Sequence, residues 1–279
     1  MRRFVDLHAH STASDGDASP SELVALAERS ALAAVALTDH DTVAGVPEAA
    51  RAAEGLAVRL VPGLEISAEF RHGTLHVLGL GVDVNERRLR RTLGELLRAR
   101  DERNPRMVAR LRGMGVDADM DALREIAGGR VVSRLHMAEL LVRKGHARDI
   151  HDAFDRFVGR GAPAYEHKRR LAPAEAAEVI HGAGGVAAVA HPVQLGCANR
   201  AQLERVVVDL AADGIDAIEV YHSDHTPEQT RHFLDLARGR GLLVCGGSDF
   251  HGSAKPGVRL GRPRVPRAAV EDLLARIGL

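Results

Sequence analysis

The feature that most constrains this chain is a recurring short apolar run, bounded by Gly, Pro or polar residues and separated from the next by stretches rich in Ala, Glu and Arg. That alternation is the pattern of strands and helices wound around a parallel sheet. Seven runs read as strands: residues 4–8, 34–38, 60–66, 75–80, 186–190, 217–221 and 242–246. Seven such units predict a barrel, and 279 residues suffice for one barrel, or for a domain that carries an insertion. Ser19-Pro20-Ser21-Glu22 and Thr226-Pro227-Glu228-Gln229 each combine a hydroxyl N-cap, proline at the first helical position and a side chain placed to close a capping box. Between Asp83 and Pro173 the alternation stops, and the segment reads as several helices, for example residues 89–100 and 105–114. The expected division is therefore a barrel over 1–82 and 173–279, with an inserted helical cap over 83–172. No internal repeat or low-complexity tract interrupts it.

Histidines and carboxylates fall at fixed places on this framework. His8 and His10 end the first strand, His40 follows the second, Glu65 lies near the end of the third and His76 is on the fourth. His191 follows the fifth, and Asp249 with His251 comes after the seventh. In a parallel barrel the C-terminal strand ends meet on one face, so these residues are expected together. His8 and His10, two apart on an extended chain, share one side of the strand and can chelate one ion. Taken alone, the pair reads equally well as two ordinary polar residues at a strand end. Glu65 sits in an apolar run where a carboxylate needs compensation by a metal or by an Arg or Lys partner. Asp15 could be a turn residue bonding its own backbone, and the surrounding pattern promotes it to a ligand. Asp39 and Asp41 flank His40, from where a carboxylate can orient the second ring nitrogen of a ligand. Imidazole and carboxylate without thiolate suits manganese, zinc or iron.

Lys+Arg and Asp+Glu both number 38, so any preference for phosphate must come from a local patch. Aromatic residues make up 3% with no Trp, which argues against a nucleic-acid surface built on repeated base stacking. Cys197 and Cys245 stand far apart without a CxxC pattern, as expected of a reducing, cytoplasmic compartment. Neither a leader nor a membrane span is read in the sequence.

Asp6-Leu7-His8-Ala9-His10-Ser11 with Asp15, Thr38-Asp39-His40-Asp41-Thr42, Gly63-Leu64-Glu65-Ile66-Ser67, His76, Ala190-His191-Pro192 and Ser248-Asp249-Phe250-His251 together resemble the polymerase and histidinol phosphatase (PHP) family. The resemblance spans nearly the whole chain and implies an α/β fold, a distorted (β/α)7 barrel with an inserted helical subdomain. It implies up to three divalent metal ions, manganese foremost with zinc or iron as alternatives. One ion would be held by His8, His10, Glu65 and Asp249, a second by Glu65, His76 and His191, and a third by Asp15, His40 and His251. None of these nine positions departs from the family pattern. The insertion looks like that of the nucleoside 3′,5′-bisphosphate phosphatases and their RNase AM type relatives, on Arg103-Asn104, Ser133-Arg134-Leu135-His136 and the segment from Ala153 to Gly161.

The resemblance implies attack on a phosphate ester by a metal-activated hydroxide, without a covalent enzyme intermediate. Arg134 is the first candidate for a second substrate phosphate, with Ser133, Arg103 and Asn104 beside it, and His136 and His222 are further candidates for substrate contact. Lys168-Arg169-Arg170 reads either as polar surface or as a guide for an oligonucleotide backbone. The favoured activity removes the 3′-phosphate of a nucleoside 3′,5′-bisphosphate. The alternatives are a 5′-to-3′ exonuclease on short RNA and a non-catalytic, metal-stabilised interaction module. A nucleotide or short RNA is the expected partner, with no membrane and no obligate protein partner.

Overall fold

Strand β2 (Ala34–Leu37) shows why the apolar runs are continuous rather than alternating. Ala34 and Ala36 pack into one core cluster with Val5, Leu7, Val61 and Ala188, while Val35 and Leu37 pack into another with Leu23, Val24 and Ala49. Successive side chains point to opposite faces, so a strand buried on both needs apolar residues throughout. The computed structural model describes residues 2–128, 132–167 and 169–279. They fall into two compact units, residues 1–93 with 170–279, and residues 94–169.

The first unit carries the sheet: β1 (Phe4–Asp6), β2, β3 (Arg59–Ala68), β4 (Leu75–Leu80), β5 (Val186–Val189), β6 (Ala217–Tyr221), β7 (Leu243–Gly246) and β8 (Val265–Pro266). Hydrogen-bonded neighbours run in the order β7-β6-β5-β4-β3-β2-β1-β8. Just beyond β1 the chain meets β7 and the loop after it: Leu7 donates to Gly246 O at 3.0 Å and Asp249 N donates to His8 O at 2.8 Å, which nearly closes the barrel. A Cβ on Gly247 would lie 2.4 Å from His8 N, so this approach requires glycine.

The helices are α1 (Pro20–Arg29), α2 (Val46–Ala53), α3 (Arg87–Gly113), α4 (Met120–Ala127), α5 (Arg134–Arg143), α6 (Ile150–Ala153), α7 (Pro173–Gly182), α8 (Arg200–Ala212), α9 (Pro227–Arg240) and α10 (Glu271–Arg276). The capping boxes expected at Ser19 and Thr226 are both formed, opening α1 and α9. No helix among the described residues is long and apolar enough to cross a membrane.

The structure corrects two sequence expectations. The sheet is not all parallel: β4 runs antiparallel to both β3 and β5, and β8 runs antiparallel to β1. The linker between β3 and β4 is far shorter than the dozen or so residues that a parallel crossover requires, so the chain must turn back on itself. Reversal places the start of β4 beside the end of β3, with Ser67 opposite His76, and so brings His76 to the face where the parallel strands end. The two helices expected at 89–100 and 105–114 are one, α3, with Pro105 inside it. Leu89, Leu93, Leu96, Met107 and Leu111 are buried at spacings of three and four, and the stripe continues between them through buried Arg100, Arg103 and Asn104. Those polar residues hide its continuity in a hydropathy reading.

Candidate metal centre

The ligand candidates lie near or shortly beyond strand ends, except Asp15, which lies in the turn between β1 and α1. Beyond β1 the extended chain continues through His8 and His10, both fully buried. An isolated bridge pairs His40 with Glu65, and Glu65 N donates to Asp39 O at 3.1 Å, which fixes the loop after β2 against β3. His191 and Asp249 take positive φ values of 28° and 56°, as does Asp41 at 54°, a backbone region that costs a non-glycine residue energy.

The two oxygens of fully buried Glu65 divide the surrounding rings between them. Oε2 lies 3.4 Å from His8 Nε2, 3.1 Å from His10 Nε2 and 3.0 Å from His40 Nδ1. Oε1 lies 2.8 Å from His76 Nδ1 and 3.0 Å from His191 Nε2. Asp249 Oδ1 is 3.3 Å from the Nε2 atoms of both His8 and His10 and 3.5 Å from His251 Nδ1. Asp15 is 3.3 Å from His251 and 3.7 Å from His10 and His40. All nine residues singled out in the sequence as ligands therefore meet in one cluster.

That cluster fits divalent metal. His8 Nε2, His10 Nε2, His40 Nδ1, Glu65 Oε2 and His191 Nδ1 are buried without a hydrogen-bond partner, a state that buried polar atoms rarely sustain. Groups of ligand atoms within 4.8 Å of one another form at His8, His10, Glu65 and Asp249, at His10, Asp15, His40 and His251, and at His40, Glu65 and His76. Imidazole and carboxylate donors with no thiolate among them could hold a first-row divalent ion. Cys245 is buried and Cys197 partly exposed, and neither belongs to these groups.

A fourth group, His8, Glu219 and His222, contains the residue that sequence reasoning missed. Glu219, fully buried on β6, accepts from His8 Nδ1 at 3.0 Å and from His191 N at 2.6 Å. It thereby directs the other nitrogen of His8 towards Glu65 and Asp249. The signal was in the sequence: Ala-Ile-Glu-Val-Tyr buries a carboxylate in an apolar strand just as the Glu65 segment does. Asp39 and Asp41 instead brace loops. Asp39 accepts from Ser11 N at 2.8 Å and Ser14 Oγ at 2.6 Å, and Asp41 accepts from Ser67 N at 3.0 Å. Lys255 is a second addition, with Nζ 2.6 Å from Asp249 Oδ2. His222, read from the sequence as a substrate contact, is buried with Nε2 3.5 Å from that same oxygen.

The other five substrate candidates lie in the helical unit. Arg103 donates to Asn104 Oδ1 at 2.7 Å, and Asn104 Nδ2 donates to Val132 O at 2.9 Å. Ser133 opens α5, and its N–H donates at 3.1 Å to Nδ1 of fully buried His136, which ties His136 to helix capping. The Arg134 guanidinium lies 5.5 Å from both the Phe154 and Tyr165 ring centres. Phe154–Val158 form a π-helical turn, closed where Gly159 N donates to Phe154 O at 2.7 Å. Of the basic run, Lys168 lies outside the described residues, and Arg169 pairs with Glu95 at 2.9 Å.

Without metal, the carboxylates set the protonation of the rings. Burial opposes charge on both His8 and His10, but Glu219, Glu65 and Asp249 outweigh it at His8, holding it well above its usual range, and Asp249 and Glu65 raise His10 to about 10. Burial pushes His40 down to about 3 and lowers His191. The folded chain thus keeps protons on His8 and His10 that the unfolded chain releases near the ordinary value of 6.5. Their contribution to stability is full below that value and is lost as pH rises through their raised folded-state values, which for His10 is about 10. His40 and His191 act in the opposite sense, favouring the unfolded chain as pH falls below 6.5. Because metal must displace the protons on His8 and His10, apparent affinity is expected to increase as pH rises towards about 10, the value for His10, with protons released on binding. Calorimetric titration in buffers of different ionisation enthalpy measures both; a pH-independent affinity with no proton release contradicts this account.

Comparison with known proteins agrees with this geometry. The sequence profile of the PHP domain matches residues 6–158. A 3′,5′-nucleoside bisphosphate phosphatase of Chromobacterium violaceum is 34% identical, covering 98% of this chain and 97% of its own. A 5′–3′ exoribonuclease of Salmonella typhimurium is also 34% identical, over 96% of this chain and 92% of its own. The crystal structure of a candidate metal-dependent phosphoesterase from Bifidobacterium adolescentis superposes with a TM-score of 0.84 at 32% identity, covering 98% and 96% of the two chains.

Proposed function

The chain belongs to the PHP domain family, and from that premise we propose that it hydrolyses phosphate monoesters, removing the 3′-phosphate of nucleoside 3′,5′-bisphosphates. The observation that carries this reading is Glu65, whose two oxygens each face a separate set of imidazoles, the arrangement needed for a carboxylate shared between ions. His8, His10, Glu65 and Asp249 would hold one divalent ion, Glu65, His76 and His191 a second, and Asp15, His40 and His251 a third. Manganese is the ion we favour, with zinc and iron compatible with the same donors. When bound, such ions lower the pKa of coordinated water and neutralise phosphate oxygens.

The chain's own residues prepare the site for that chemistry. Glu219 keeps the His8 proton on Nδ1 and leaves Nε2 as a lone-pair donor. The fixed carboxylates and rings need no rearrangement when charge develops on the ester, which is the basis of electrostatic preorganisation. Lys255 adds a cation at the edge of the cluster, on Asp249. Arg134 is proposed for the substrate's 5′-phosphate, because a planar guanidinium can bond phosphate through two N–H groups and the rings of Phe154 and Tyr165 hold it in place.

The test is phosphate release from adenosine 3′,5′-bisphosphate by protein loaded with manganese, zinc or iron. Arg134→Ala is expected to raise KM for the bisphosphate by about ten- to a hundredfold, the effect of losing a charge-assisted bond. The same variant should change hydrolysis of a 3′-monophosphate without a 5′-phosphate by less than about threefold. Equal losses on both substrates contradict the assignment. The similarity to the Salmonella exoribonuclease favours a second reading, 5′-to-3′ hydrolysis of short RNA, and release of mononucleotides from a 5′-phosphorylated oligomer measures it.

A further inference from the structure

We propose that a cavity beside His191, in the barrel unit, binds the nucleobase of the substrate; this rests on the phosphatase reading above. The cavity has a volume of about 320 Å³. Its apolar wall is Pro192, Val193, Leu203 and Phe233, and Asn199, Gln229 and His232 are among the polar side chains that line it. It adjoins the metal centre in two ways. Pro192 directly follows His191, and a run of rings leads outward, with His191 to His222 at 5.6 Å, His222 to His225 at 5.2 Å and His225 to Phe233 at 4.8 Å.

His232 indicates that something belongs there. Its side chain is only 10% exposed, and neither ring nitrogen has a hydrogen-bond partner. Glu204, at 3.9 Å from Nε2, is too distant to serve. A neutral imidazole always carries one N–H, so a buried donor waits for an acceptor. Burial, with Arg200 nearby, lowers the pKa of His232 and favours that neutral ring.

The helix caps decide the chemistry of the other polar groups. Asn199 opens α8 by accepting from Gln202 N at 3.0 Å, and Gln229 accepts from Thr226 N at 2.8 Å in the capping box of α9. With a backbone N–H already on each amide oxygen, the amide nitrogens remain as donors for a ligand. A small, mostly apolar cavity whose amides offer donors matches a flat heteroaromatic ring with acceptors along its edge, which is the description of a nucleobase. The volume is at the lower end for ligand pockets, about 300–1,000 Å³, and suits a base rather than a whole nucleotide. With aromatic residues at 3% and no Trp, this chain would read a base by its edge rather than by a stack of rings.

Gln229→Glu tests the idea gently, since glutamate can still accept from Thr226 N while replacing the free donor with an acceptor. Leu203→Trp tests it by filling the cavity. Two quantities are read for each: binding of adenosine by equilibrium dialysis, and the ratio of kcat/KM for adenosine 3′,5′-bisphosphate to that for ribose 3,5-bisphosphate, which lacks the base. Both variants are expected to weaken adenosine binding and to lower the ratio by about tenfold or more, since leaving polar groups mispaired discriminates strongly. Wild-type values of both quantities in both variants overturn the proposal, as does a wild-type enzyme that hydrolyses the two bisphosphates equally well and does not bind adenosine. Adenosine binding that both variants weaken, in a protein that hydrolyses neither bisphosphate, upholds the cavity and overturns the phosphatase reading instead.

Discussion

Glu65→Gln is expected to abolish metal loading and to reduce phosphate release by more than the hundred- to about thousandfold that loss of a single oxyanion donor costs. The reason is topological as much as electrostatic. One oxygen of Glu65 faces His8, His10 and His40 and the other faces His76 and His191, so among the carboxylates of the cluster it is the one that joins the two sets. An amide would turn an NH2 group towards one of the two sets, whose lone pairs are needed for metal. Metal content by elemental mass spectrometry and phosphate release on the same sample are the measurements. A variant that retains full metal content with normal turnover would remove Glu65 from the centre of the site.

Glu219→Gln is expected to weaken metal binding by about ten- to a hundredfold although Glu219 belongs to none of the three ligand sets. Glu219 accepts two N–H groups, one from the His8 ring and one from the His191 backbone. Glutamine has one carbonyl oxygen. If that oxygen serves His191, its NH2 end meets His8 Nδ1 and drives the ring proton to Nε2, the atom facing Glu65 and Asp249. Nitrogen NMR of His8 reports that tautomer directly, and a metal titration reports its consequence. Glu219→Asp keeps two accepting oxygens and is expected to recover part of the affinity. Wild-type metal affinity in Glu219→Gln, with the His8 tautomer unchanged, would show that the carboxylate is structural only.

The barrel was legible because its strands are largely buried on both faces, which makes most positions of each run apolar. All seven expected runs are strands, and the ligand candidates were legible because costly residues interrupt or end those runs. The two-residue β8, Val265–Pro266, was hidden, since so short a strand leaves no periodic signal. The direction of β4 could have been read from its short linker, but assuming a uniform parallel repeat concealed it. Helix α3 was divided because Pro105 and three polar residues coincide with its middle. Glu219 was overlooked for a different reason. It lies in the middle of a short strand and outside any motif that carries the family resemblance, where only the cost of burying its charge gives it away.

The left-handed backbone at Asp41, His191 and Asp249 has a consequence for how such a sequence can change. Among the described residues only four non-glycine positions take positive φ, and three of them belong to the metal centre or brace it. Each is a place where glycine would relax the chain by about 1–3 kcal/mol. Glycine would also delete the carboxylate or ring for which the conformation exists. Selection for thermal resistance and selection for turnover therefore pull these three codons in opposite directions. A library screened for heat tolerance alone would drift first at this face, and would yield sturdier barrels that no longer act on their ester.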